Sequence, residues 1–456
     1  MTRPMIDSFI ADDASLPSRW DQLVDVTVVG AGMAGLVAAL SLREQQLEPV
    51  VFEAASEVGG NLRYSDGVIN AADPKRQLRL GIEDSPEKHL SDMVKVGNGK
   101  GNQAILEHLA YDGPNCITWL EQIGVPWQTH VVQVAQSVYP RGHVIAGLKS
   151  GERGGQRLAQ TLYEQCQKRQ IPVQRNHRVS RLFLKNNSVV GVEVVTLERG
   201  ERVERRQTIR CRYGVILATG HFLANSLLVE RYCPFLRHVP VISVPTCDGQ
   251  LMIEAMNQGA QTLHRGYFVW DLLDRQINLR DPARFILVNA QGKRFCREDL
   301  RNKALLSAIL SLPEKYAYWV GIDEEADKTL PLSWPDPNTR TAFEATLEQY
   351  NHHVRNGLED ELEKGKAFLE PLERELTVRL VRPQIVHALG GLSINENAQV
   401  LSRQGEPIIN LYAAGDLVGG VFGEWAQKGD HLLAATVLAR RSSQGVQHYI
   451  TSKNFL

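Results

Sequence analysis

Apolar positions along this chain fall into two rhythms, and the stretch Asp25–Glu53 (DVTVVGAGMAGLVAALSLREQQLEPVVFE) contains both. Asp25–Val29 is a short, β-branched apolar run, and Val50–Phe52 is a second one that closes on Glu53. Runs of this length without alternation predict buried parallel strands, and the apolar spacing from Met33 to Leu42 predicts a helix between them. Residues 104–125 and 157–170 carry the pattern of amphipathic helices, the second ending before Ile171-Pro172. Val173 to Val195 alternates like a β-meander, with Asn186-Asn187 at a hairpin turn. Gly214–Leu217 is again a buried strand, running into Ala218-Thr219-Gly220. From about Tyr267 to Glu375 the strand–helix–strand rhythm stops. Residues 340–375, with Glu and Lys on most turns, predict a long, charged, solvated helical stretch.

At 456 residues the chain is too long for one compact core, so two domains are expected. Composition is that of an ordinary globular protein, and a net charge of -1 supplies no general basic field, so nucleic acid is not an expected partner. The six cysteines form no C-x-x-C and no paired framework, which fits reduced thiols in a cytoplasmic protein, and no metal site is expected. The first twenty residues are Pro, Ser and Asp rich without an apolar segment, so they read as an arm rather than a signal peptide. No apolar run is long enough to span a membrane.

The candidate chemistry begins at Gly30, Gly32 and Gly35, spaced G-x-G-x-x-G between the first strand and its helix. Gly30 allows the tight turn, Gly32 lets the backbone approach a pyrophosphate, and Gly35 lets the helix pack close to the sheet. The unpaired N–H groups of the helix start hold negative charge. Glu53, at the end of the second strand, suits a ribose diol. A glycine-rich turn without a ligand is the plainer alternative, but the complete strand–helix–strand–acid unit favours a dinucleotide site. Downstream, SEVGGNLRYSDGVINAA contains two further glycine breaks, at Gly59-Gly60 and Gly67, suggesting backbone that lies against something flat.

That segment resembles the flavoproteins of the fumarate reductase and succinate dehydrogenase family, a group that includes 3-ketosteroid dehydrogenases, urocanate reductases and tricarballylate-type dehydrogenases. The matching motifs are Gly59-Gly60-Asn61, Gly67-Val68, Asn70-Ala71-Ala72, Ala218-Thr219-Gly220, Cys247-Asp248-Gly249, His387-Ala388-Leu389-Gly390-Gly391-Leu392, Leu411–Asp416 and Gly419-Gly420, in family order over roughly residues 24–440. The resemblance implies an α/β fold: a Rossmann-like, two-dinucleotide-fold FAD-binding domain with an inserted α+β capping domain. The expected division is an arm at 1–22, FAD-binding parts at 23–267 and 376–456, and the capping domain at 268–375. It implies FAD contacts at Gly30, Gly32, Ala34, Gly35, Glu53, Gly60, Asn61, Gly67, Val179, Ala218, Thr219, Gly220, Asp416, Gly429 and Leu432. Membrane-bound members attach FAD through a His in this loop; the matching residue here is Asn61, which implies non-covalent FAD. Asp416 stands where the family usually has Glu beside the ribityl chain. Gly429 and the helix from Asp430 would aim N–H groups at flavin O2.

Catalytic expectations also follow from the resemblance. The run from Phe285 to Arg301 resembles the piece of the capping domain that precedes an Arg acting as proton donor in fumarate reductases. Arg301 is the match, one residue closer to Glu298 than the pattern, with Glu298 and Asp299 as carboxylates to re-protonate it. Packing arginines on a polar helix are the alternative. His387 matches a His that binds a substrate oxygen. Two family cations are missing: Asp271 stands where a substrate His is expected, and Ala426 where a substrate Arg is expected. These losses argue against a C4 dicarboxylate, and Trp425, Phe422 and Trp270 suggest a more apolar ligand. Tyr139 and His143, in YPRGH, are further candidates for substrate contact. The expectation is an FAD enzyme that desaturates or reduces a C–C bond beside a carbonyl, exchanging hydride with flavin N5 and electrons with a separate partner. The alternative is a flavin monooxygenase or another two-dinucleotide-fold flavoprotein using reduced nicotinamide. No second G-x-G-x-x-G after a clear strand supports it; the glycines of GLKSGERGG (147–155) have none before them.

Overall fold

The computed structural model describes residues 16–134, 136–197, 203–237, 239–273, 277, 279, 281–300, 302–322, 337–373 and 376–454. They divide into two compact units. The first holds the chain up to Pro234, Ser243–Phe268 and His387 onward, and the second holds Phe235–Ile242 with Val269–Val386.

The first unit is built on an 8-stranded sheet. The expected motif opens it: strand β1 (Gln22–Val29), helix α1 (Met33–Glu44) and strand β2 (Pro49–Glu53). Every residue of α1 from Met33 to Leu42 is buried, which accounts for a helix with almost no polar face. Helix α2 (Gly154–Lys168) is followed by β3 (Val173–Arg175), β4 (His177–Lys185), β5 (Ser188–Leu197) and β6 (Val203–Leu217). Asn186 and Asn187 take φ of 50° and 58°, the left-handed pair that a two-residue hairpin needs. Strand β7 (Pro407–Ala413), the short strand Gln399–Leu401 paired antiparallel to it, and helix α3 (Asp430–Asn454) complete the layer. The parallel core runs β7–β6–β1–β2–β3, with β4 and β5 added as an antiparallel meander. Ser443 of α3 donates to the Ala38 carbonyl of α1 at 3.2 Å, so the two helices lie against each other.

The second unit contains a 3-stranded antiparallel sheet of Phe285–Val288, Ala317–Gly321 and Thr377–Val381. Helix Pro337–Arg355 covers it, burying Phe343 and Tyr350 in one cluster with Ile286, Val288, Val320 and Leu372. Two boundaries differ from the expected ones. The unit continues past 375 because Thr377–Val381 pairs with Ala317–Gly321, and it recruits Val241, which bridges to Ile385. The helical stretch expected over 340–375 ends at Arg355. Gly357, at φ +64°, turns the chain there, and Leu358 N–H caps the His353 carbonyl.

Candidate functional site

In the first unit, Gly30 sits at φ +102°, and a Cβ there would lie 2.4 Å from the Ala218 carbonyl oxygen. A Cβ on Gly35 would stand 1.8 Å from the Gly30 oxygen, so helix and turn touch only because both residues are glycine. Gly32 is different: a Cβ there would come no nearer than 3.9 Å to the Gly59 oxygen, which leaves this face open beside the helix start. Glu53 is buried, and its two oxygens accept the Ala31 and Ala55 N–H groups at 2.7 Å each. Burial raises its pKa, and the two amides work against that shift.

The loop after β2 folds onto the same region. Gly60, at φ +48°, faces open space, whereas a Cβ on Gly67 would meet Gly154 at 2.4 Å. The GLKSGERGG run therefore has a structural use: Gly154 and Gly155 open α2 against residues 62–67. A strand, Gly142–Ile145, does precede it, but pairs antiparallel with Trp127–Val132 and forms no second dinucleotide motif. The Asn61 side-chain oxygen accepts Val244 N–H at 2.8 Å, and its amide nitrogen lies 2.9 Å from His221 Nε2. Gly220 packs on Cys247, whose thiol burial pushes up to about 12, so no thiolate is available there. Val179 is buried on β4, Ala218 is buried, Thr219 is half-buried after β6, and Leu432 is half-buried on α3.

Asp416 stands in a short 3-10 turn directly after β7. It accepts His387 Nδ1–H at 3.2 Å and His431 Nδ1–H at 3.0 Å. Burial would raise its pKa, but the His387 charge and the two N–H bonds hold it well below the usual carboxylate range. Beside it, Asn70 donates to Asp430 at 2.7 Å and to Gln427 at 3.2 Å. Among the described residues, Asn70 Oδ1, Asp430 Oδ2 and His431 Nε2 are buried without a partner. Orphaned acceptors at a helix start are costly unless a ligand donates to them, and the hydroxyl and imide N–H groups of FAD are such donors. The open glycine faces, the Glu53 carboxylate and these acceptors fit that cofactor.

The other expected site residues among those described have contacts of their own. His143 is a core residue, 1% exposed, with Nδ1 on the Arg141 carbonyl at 3.0 Å; burial lowers its pKa to about 4, so it stays neutral. Tyr139 is half-buried against Lys88 and Arg141. Trp425 is buried, whereas Asp271 is exposed and accepts the N–H of its neighbour Leu272. Glu298, in the second unit, is fully buried: Arg294 donates to both its oxygens at 2.9 and 2.8 Å, and Lys364 lies at 3.4 Å. It is thus an ion-pair anchor. Arg301 lies outside the described residues. Sequence reasoning passed over His431 and gave His221 no role. Their only signal was position, immediately after Gly429-Asp430 and after Ala218-Thr219-Gly220.

A family model described as an FAD binding domain matches residues 25–431. The chain is 29% identical over 424 residues to the NADH:fumarate oxidoreductase of Klebsiella pneumoniae, covering 88% of this chain and 45% of that protein. It is 27% identical over 435 residues to the fumarate reductase (cytochrome) of Shewanella frigidimarina, covering 90% and 74%. It therefore spans less than half the length of the first of these relatives and about three quarters of the second. The open conformation of a flavocytochrome c3 fumarate reductase has the same fold, with a TM-score of 0.80 at 24% identity over 94% of this chain and 79% of that one. So does a 3-ketosteroid-delta4-(5alpha)-dehydrogenase from Rhodococcus jostii RHA1, with a TM-score of 0.78 at 24% identity over 95% and 98%.

Proposed function

The chain belongs to the FAD-binding family that contains the fumarate reductases, with FAD as its cofactor, and on that premise we propose that it desaturates or reduces a C–C bond next to a carbonyl. The observation that carries this reading is His387, a third exposed, anchored through Nδ1 on Asp416 so that Nε2 is left for a ligand oxygen. Bound FAD supplies the two-electron hydride acceptor or donor. Gly32, the start of α1 and Glu53 would hold its dinucleotide end, and the N–H groups of Gly429 and of the first turn of α3 beyond Asp430, whose own N–H is taken by the Gln427 carbonyl at 3.2 Å, its ring oxygen. With its Nδ1–H committed to Asp416, His387 donates at Nε2 only when the ring carries both protons. Arg301 is the proposed proton donor, by its place in the sequence pattern alone. Ala426 in place of the expected arginine, beside buried Phe422 and Trp425, supports a ketone or mono-acid with an apolar body over a dicarboxylate. The attachment of FAD is non-covalent in this reading, since an Asn61 amide offers no ring nitrogen to bond it.

The purified protein should be yellow and release FAD into the supernatant on acid precipitation. A cyclic ketone or enoate-forming acid should bleach the flavin anaerobically, with His387→Ala and Arg301→Ala slowing that step about a hundredfold. A protein that stays colourless after reconstitution with FAD would sink the reading. Bleaching by reduced nicotinamide alone would replace it with a nicotinamide-dependent activity.

A further inference from the structure

Asp416 is the shared acceptor of two imidazoles from distant parts of the chain. His387 comes from the end of strand Pro383–Ala388 and His431 from the first turn of α3. Their rings are stacked, with centroids 4.0 Å apart and planes within 12°. A carboxylate only accepts, so both Nδ1 atoms carry protons, and any further proton must go to an Nε2.

The two rings are not equivalent. Two cations stacked at this distance repel, so the pair accommodates one added proton. The start of α3 disfavours a cation on His431. His431 is also the more enclosed ring, 11% exposed against 31%, and its Nε2 is buried with no acceptor among the described residues. Burial and the neighbouring His387 charge both lower the His431 pKa, whereas Asp416 and Asp430 pull it the other way. Asp430 is already engaged by Asn70 and lies 3.3 Å from His89 Nε2. On the far side, His221 meets His387 edge-on at 6.3 Å, and Phe422 lies 5.1 Å from His431.

We propose that His431 is a positioning residue: kept neutral with its Nδ1–H on Asp416, it holds the His387–Asp416 arrangement and leaves the single positive charge of the stack to His387. The ligand met there is then one that offers an acceptor oxygen, a carboxylate or an enolisable carbonyl, to His387 Nε2–H. This rests on His387 as the oxygen-binding group.

The test is NMR of the FAD-loaded protein labelled with 15N-histidine, titrated from mildly alkaline to mildly acidic pH, with signals assigned by their loss in His431→Asn and His387→Gln. His431 should keep a single proton, on Nδ1, throughout. In His387→Gln it should begin to take up a second, because the neighbouring charge is gone. A wild-type His431 that titrates like a free histidine, or carries its proton on Nε2, would overturn the proposal. A second measurement follows the flavin absorbance as phenylacetate, the probe anion, is added. His431→Asn, which retains an N–H for Asp416, should bind it within about threefold of wild type. His431→Phe, which retains a ring without the donor, should bind it about tenfold more weakly. Equal losses in both variants would assign the ring to packing and defeat the proposal. If phenylacetate leaves the wild-type spectrum unchanged, His387 is not the oxygen site, while the titration still decides the role of His431.

Discussion

Glu53 illustrates how much a single residue carries. One carboxylate braces the turn of the glycine motif through Ala31 N–H and the next loop through Ala55 N–H, and each oxygen retains a lone pair for a ribose hydroxyl. Glu53→Gln would set an NH2 against one of these two donors, leaving a buried N–H unpaired at a cost of about 1–3 kcal/mol. FAD affinity, read by titrating the apoprotein and following flavin fluorescence, should fall roughly ten- to a hundredfold. Unchanged affinity would reduce Glu53 to a backbone brace. The tight turn at Gly30–Gly35 and the position of Glu53 at the end of β2 were legible from sequence because spacing within one strand–helix–strand unit sets them. His143 was not: in an alternating strand, the residue that faces inward is chosen by the partner strand, and here Trp127–Val132 turns it into the core.

At the scale of elements, the second unit uses charges that a sequence reading assigns to solvent. Arg294 bonds Glu298 at 2.8 Å and also pairs with Asp360, while Lys364 donates to the Phe285 carbonyl at 3.1 Å. These groups tie the segment after helix Pro337–Arg355 to strand Phe285–Val288. Desolvation lowers the Lys364 pKa, and Glu298 opposes it. Removing one partner of a buried ion pair costs about 3–5 kcal/mol, because the other charges and the Leu287 N–H lose their acceptor. Glu298→Ala should therefore shift the urea unfolding transition by that amount. A variant of wild-type stability that reduces flavin slowly would instead restore Glu298 as a proton relay. Charge density along residues 340–375 predicted helix, but it carries no record of where a long side chain finds its counter-ion, so neither the stop at Arg355 nor this network was legible.

For the molecule as a whole, acid is the predicted weakness. Asp299 is lowered from 3.8 to about 2 by its hydrogen bonds with Arg297. Burial raises Asp84, Asp360 and Asp416, but their arginine or histidine partners outweigh it and leave all three lowered. A depressed carboxyl contributes stability above its unfolded pKa and loses it as pH falls through the folded one, because the unfolded chain binds protons first. For Asp299 that window runs from 3.8 down to about 2. The urea midpoint should thus drop between neutral pH and the lower part of that range, and Asp299→Asn should drop less. An equal drop would mean that this pair does not feed the acid transition. Among the described residues no helix is long and apolar enough to cross a membrane.

The sequence by itself determined the strand–helix–strand unit, the order of the flavoprotein motifs and the FAD cofactor. Each of these is written in short segments, where glycine spacing, strand length and a terminal acid act on neighbouring atoms. Only the tertiary structure decided that His387 and His431 share Asp416, that Asn61 bonds His221, and that His143 and Glu298 are buried. Those outcomes depend on sheet register and packing between segments far apart in the chain. Local pattern carries no information about which of thirteen histidines will meet which carboxylate.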